Sequence, residues 1–174
     1  MSTRDLVAGD YVLSVTNVRV TIHTLGVVFE SDRRSENHAS TYHLIGGTDV
    51  EGSAQINIVK ASPTDTMGTL QRKFCLYETS KTALHNVELR AVQGITVGQV
   101  LELLDQKGRG NYKLAPSGVG CRFWVKTMIE DLESAGYIDL SSPAKVSQAY
   151  DDLQYSYSKS QDRELDPIIP GVFM

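Results

Sequence analysis

The sequence predicts an α+β fold, an antiparallel sheet of about six strands from the N-terminal two thirds packed against two or three helices from the C-terminal half. Three observations predict it. Up to residue 92, short runs rich in β-branched and aromatic residues are bounded by Gly, Asp, Asn and Ser. The connections between those runs are of hairpin length, which favours antiparallel pairing. From Thr96 onward the apolar spacing changes from two to three and four, the period of a helix packed on one side.

Tyr11 to Thr24 reads as one half-buried strand, or as two jointed near Asn17, with Val18, Val20 and Ile22 facing one way and Arg19, Thr21 and His23 the other. Gly26 to Glu30 reads as a separate short strand, followed by the charged turn SDRRSEN. Thr41 to Ile45 is the next strand, and the stretch GGTDVEGS is the loop of a hairpin leading to Ala54 to Val59. In that strand Ile56 and Ile58 share one face, Gln55 and Asn57 the other. Leu70 to Glu78 and Asn86 to Val92 complete the set. Thr96 is suited to cap a helix carrying Val97, Val100, Leu101 and Leu104 and ending at Lys107-Gly108. A glycine-rich connector, GRGNYKLAPSGVG, holds a short extended piece from Asn111 to Leu114. Cys121 to Ala135 places Cys121, Trp124, Val125, Met128 and Leu132 on one helical face, with Gly136 as its stop. A third helix is predicted from Ala144 to about Lys159, its stripe made by Val146, Ala149, Tyr150 and Leu153. The last stretch, DPIIPGVFM, contains two prolines and reads as an extended strap over residues 160–174. With neither repeats nor low-complexity tracts, residues 1–174 are expected to form a single domain.

A chain of 174 residues with 41 % hydrophobic and 22 % charged residues can close one core of its own. A net charge of −4 offers no clustered positive face, so nucleic acid is not expected as a partner. The absence of a run of 18 or more apolar residues argues against a membrane span, and the first residues do not have the pattern of a secretion signal. Two cysteines are too few for a disulfide framework or a zinc cage, which points to single thiols in a reducing, cytoplasmic setting. No phosphate loop, dinucleotide fingerprint or metal-ligand spacing is present, and no cofactor or metal is expected.

Chemistry is therefore sought around a thiol. Cys121 follows a glycine-containing loop at the first turn of a predicted helix, where free N–H groups and the helix dipole stabilise a thiolate, and Arg122 adds positive charge. Such a nucleophile needs a base held by a third group. Of His23, His38, His43 and His85, the candidates are His38 and His43, with His38 favoured; Gln55 or Asn57 on the following strand is placed to orient the imidazole. Arg109, Tyr112, Arg122 and Trp124 are candidate substrate-binding residues. Each also has an ordinary structural role open to it: Cys121 as a core thiol, Trp124 as a core anchor, the arginines as partners of Glu102, Asp105 or Glu130. Cys75, in the strand KFCLY, has nothing near it in sequence that would activate it.

The order His38 or His43, then Gln55 or Asn57, then Cys121 at a helix head resembles the circularly permuted papain-like thiol enzymes, such as the lecithin-retinol acyltransferase group and small isopeptidases acting on ubiquitin-like modifiers. GCRFWV lacks the Asn, His and Phe signatures those families carry around the cysteine. A second resemblance covers most of the chain. Asn37-His38, the segment Gly108-Arg109-Gly110-Asn111-Tyr112 and the helix start Gly120 to Val125 are similar to a fungal domain family of unknown function. That family's Asn-His is followed by tryptophan, where this chain has Ala39. The resemblance marks His38, Arg109, Cys121, Arg122 and Trp124 as a cluster. The expected function is a thiol-dependent hydrolase or acyl/amide transferase acting on a small molecule or peptide. The alternatives are a non-covalent fungal biosynthetic enzyme, a cyclase or isomerase using the same pocket, and a non-enzymatic binding module or homodimerising domain.

Overall fold

Val18, Val20 and Ile22 occupy alternate positions of strand β2 (Val15–Val28) and all three are buried, as the period of two requires of a strand with one face on a core. The computed structural model describes residues 3–28, 35–46, 51–60, 62, 64–115, 120–159 and 162–174. Around β2 lie β1 (Thr3–Asp5), β3 (Ser35–Ile45), β4 (Ser53–Lys60), β5 (Gly68–Cys75) and β6 (Ala83–Arg90). They form a six-stranded antiparallel sheet in the order β1-β5-β4-β3-β2-β6, so that β2 to β5 are a meander and β6 closes on the far side of β2. One face carries Val18, Val20, Ile22, Ala39, Ala54, Ile56, Ile58, Val87 and Leu89, which belong to one apolar core.

The helices cover that face. α1 (Val97–Gln106) starts at Thr96, whose hydroxyl accepts from Gln99 N–H at 3.2 Å while Gln99 Oε1 accepts from Thr96 N–H at 2.9 Å. This reciprocal cap satisfies two of the amide groups that a helix start leaves bare. α2 (Cys121–Ser134) lies against β3 and β4 and buries Trp124, Val125, Met128, Ile129 and Leu132 completely. Each such side chain contributes roughly 1.5–3 kcal/mol over its exposed state, which is what seats the helix. β7 (Tyr112–Lys113) pairs with β10 (Val172–Phe173), so the C-terminal strap is tied down just before α2 begins in sequence.

β2 is one strand; the irregularity near Asn17 is a register shift between Val15 and Asn17, and the strand runs on through Gly26 with a second shift between Thr24 and Val28. Glycine inside a strand accommodates such a bulge without ending it. β1 was not expected from the polar sequence Thr3-Arg4-Asp5, and its pairing with Phe74 and Cys75 is a tertiary effect. The third helix, α3 (Val146–Asp152), is much shorter than its apolar stripe suggests. After it the chain forms β8 (Tyr155–Ser156), paired with β9 (Glu164–Leu165). The side-chain amide of Asn37 on β3 accepts from Tyr157 N–H at 2.6 Å and donates to Tyr157 O at 3.1 Å. Those two bonds take the backbone groups a continuing helix would need. The charged turn at residues 31–34, the loop tip at 47–50 and the residues 116–119 before α2 lie outside the described residues, as do Phe29 and Glu30. Among the described residues no helix is long and apolar enough to cross a membrane.

Candidate active site

Pairing between β3 and β4 runs from Leu44↔Ser53 to Thr41↔Ile56 and stops there. Beyond that point β3 stays on β2 as far as Asn37, and β4 stays on β5 as far as Lys60. The two central strands therefore part, and the N-terminus of α2 meets the opening. Ile45 N–H donates across the hairpin to Gly52 O at 3.1 Å, and by the period of two Ala39 N–H points the same way, into the gap. There it lies near enough to Cys121 to help lower the pKa of the thiol.

His38 also acts on that thiol, its side chain and its charge both lowering the pKa of the half-buried Cys121. On the opposite side of its ring, His38 Nε2 lies 2.6 Å from Oδ1 of the buried Asn57. An amide oxygen only accepts, so Nε2 carries the proton and Nδ1 is the basic nitrogen of the ring. Cys121, His38 and Asn57 are thus brought together, with Asn57 holding the His38 ring and His38 acting on the thiol. Burial pushes the Cys121 thiol up, but the hydrogen bond and charge of His38, the Ala39 amide and the charge of Arg122 push it down and prevail. The thiolate is stabilised further by its position at the first residue of α2, where three backbone N–H groups have no partner within the helix. Cys75 behaves in the opposite sense: burial raises its pKa, and Tyr77 and Ser53 offset only part of that.

The other expected site residues are placed elsewhere. His43 is wholly buried on the helix-facing side of β3, with Nε2 3.2 Å from Thr41 Oγ1. Thr41 Oγ1 in turn lies 3.8 Å from the sulfur of Met128, two turns along α2 from Cys121. His43 is removed from the thiol by its place near Met128, two turns along α2, and, five residues from His38, it lies on the other face of β3. Gln55 shares Asn57's face of β4, but its Oε1 accepts from Cys75 at 4.0 Å. Arg109 makes a two-point ion pair with the buried Asp131, at 2.6 and 2.9 Å, and lies over the Phe173 ring. Trp124 is a core anchor whose Nε1–H donates to Arg109 O at 2.8 Å. Arg122 reaches backward from the site, donating to Leu153 O at 2.9 Å and Asp166 O at 2.6 Å. Tyr112 is buried, its hydroxyl pushed up to about 12 by desolvation, and donates to Gly120 O at 2.7 Å. The polar groups of all four are thus engaged in scaffolding contacts.

One residue that the sequence reading passed over is His23. It pairs across β2 and β3 with His38, and the two rings stack at 6.3 Å. Its ring nitrogens lie 2.8 Å from Thr82 Oγ1 and 2.7 Å from Ser40 Oγ. Burial, with the nearby charge of His38, lowers its pKa to about 4, so it stands beside His38 as a neutral ring. Extending the β2–β3 hairpin register across the charged turn would have found it. Among the described residues, no cluster of three His, Cys, Asp or Glu side chains is arranged to hold a metal ion.

No curated protein and no solved structure matches this chain. A family model does, over residues 18–174, and that span contains β3, β4, the Cys121 helix and the strap. The chain belongs to the family described as domain of unknown function DUF7770.

Proposed function

We propose that this protein is a thiol-dependent hydrolase or acyl/amide transferase acting on a small molecule or peptide, with Cys121 as nucleophile, His38 as acid and base, and Asn57 as the group that orients His38. The observation that supports the reading is the grouping of Cys121, His38 and Asn57, in which Asn57 bonds His38 Nε2 and His38 lowers the pKa of the thiol. Its chain order, His then Asn then Cys, is that of the permuted papain-like thiol enzymes, which supports the same reading.

The chemistry follows from those positions. Cys121 passes its thiol proton to His38 Nδ1 and the thiolate adds to an acyl carbonyl carbon, forming a C–S bond, while N–H groups of the first turn of α2 stabilise the oxyanion. Collapse breaks the bond to the leaving group, which takes the proton from His38 Nδ1. Water, or an acceptor amine or alcohol, then loses its proton to His38 as it attacks the thioester, and the thiolate leaves. Asn57 keeps the imidazole in the tautomer and plane that both transfers need.

Alkylation by iodoacetamide across a pH series, with the modified cysteine located by mass spectrometry, tests this. Cys121 is expected to react faster than Cys75, with a midpoint below that of a free cysteine. His38→Ala should move the midpoint up. A Cys121 that stays unmodified until the protein is denatured would sink the proposal.

A further inference from the structure

The N-cap of α2 is Gly120, with φ at +131° and no side chain to bond the first turn. Helix starts are ordinarily fixed by a Ser, Thr, Asp or Asn at this position. Here the residues on either side of Cys121 are held instead by the strap. Gly171 N–H donates to Tyr112 Oη at 2.9 Å, and the same hydroxyl donates onward to Gly120 O at 2.7 Å. Asp166 holds Arg122 twice, through its carbonyl oxygen at 2.6 Å and its carboxylate at 3.1 Å. Between these latches Pro167 and Pro170 fix φ, and Ile168 N–H donates to Gln154 Oε1 at 3.0 Å. The fit is close, since a Cβ at Gly171 would collide with Tyr112 Oη and Lys113 O.

We infer that strap residues 166–171 are a positioning element of the Cys121 site, setting the first turn of α2, and with it the thiol's approach to His38, through Tyr112 on one side and Arg122 on the other. The inference rests on Cys121 being the nucleophile proposed above. Tyr112 and Asp166 are positioning residues, because they act through Gly120 and Arg122.

The test is the pH profile of Cys121 alkylation in the full chain, measured beside thermal melting, for the parent, Tyr112→Phe, Gly171→Ala and their double variant. Val87→Ala, a core truncation on β6, is the control for lost stability alone. Tyr112→Phe keeps the ring against Phe173 while removing the relay. It should slow alkylation at pH 7 about fivefold, the worth of one hydrogen bond, and move the midpoint up. Gly171→Ala should do the same, and the double variant should be no slower than the slower single, since both cut one chain of bonds. Val87→Ala should lower the melting temperature and leave the profile in place. If the parent midpoint is that of a free cysteine, the proposed function falls and this inference with it. If the parent midpoint is low but Tyr112→Phe and Gly171→Ala superimpose on it, or Val87→Ala shifts it equally, the strap is overturned as a positioning element and the nucleophile stands.

Discussion

Acidification below pH 6.5 should cost this protein stability through two histidines buried where a proton is unwelcome. Desolvation lowers the pKa of both His43 and His23 to about 4, against about 6.5 in an unfolded chain. The sign follows from proton counting. The unfolded state binds more protons between those values, so the stabilisation is fully present above pH 6.5 and is lost as pH falls toward 4. At pH 5 each histidine costs about 2 kcal/mol, which for a chain of this size is a fall of roughly 4–8 °C in melting temperature. His43 is the cleaner probe, because His23 touches His38. Thr41 Oγ1 donates to Ile56 O at 3.2 Å, so its hydroxyl accepts from His43 Nε2–H, and Nδ1 is left without a partner. His43→Leu removes that bare acceptor at similar volume. Urea unfolding followed by circular dichroism at pH 7 and pH 5 should show the loss between them shrinking by about 2 kcal/mol in the variant. Equal losses in parent and variant would refute the assignment of this acid sensitivity to His43.

Asn57→Ala should leave the fold intact but slow alkylation of Cys121 about tenfold at pH 7, equivalent to roughly 1.4 kcal/mol of lost orientation. A rate unchanged from the parent would remove Asn57 from the grouping. Arg109→Leu should lower stability by about 3 kcal/mol in urea titrations, because it strands the buried carboxylate of Asp131 without its two-point partner. A loss under about 1 kcal/mol would mean that water satisfies Asp131 instead.

Where periodicity was strong, the sequence could be read directly. Val18, Val20 and Ile22 announce β2, and Thr96 announces the start of α1. The candidate site was legible because its parts obey local rules: a cysteine at a helix head, a histidine on a strand, an amide on the outward face of the next. The choice of His38 over His43, and of Asn57 over Gln55, was not local. It depends on where β3 leaves β4, and nothing in either strand alone says that pairing stops at Thr41 and Ile56. Arg109, Arg122, Tyr112 and Trp124 were marked by residue type, but residue type does not reveal that Asp131, Asp166 and Gly171 already occupy their polar groups. The shortening of α3 is hidden for a similar reason, since Asn37, far away in the chain, sets it.

The gap between β3 and β4 also bears on the order of folding. A meander and two helices can collect from local contacts, whereas the thiol is complete only when residues 38, 39, 57, 120, 121 and 171 have converged from across the chain. Contacts so far apart in sequence are slow to form, because loop closure must be paid in entropy before they reward it. The lowered pKa of Cys121 should thus be among the last features to mature during refolding. If the strap positions α2 as proposed, Cys121 should react as an ordinary thiol until the tail has docked.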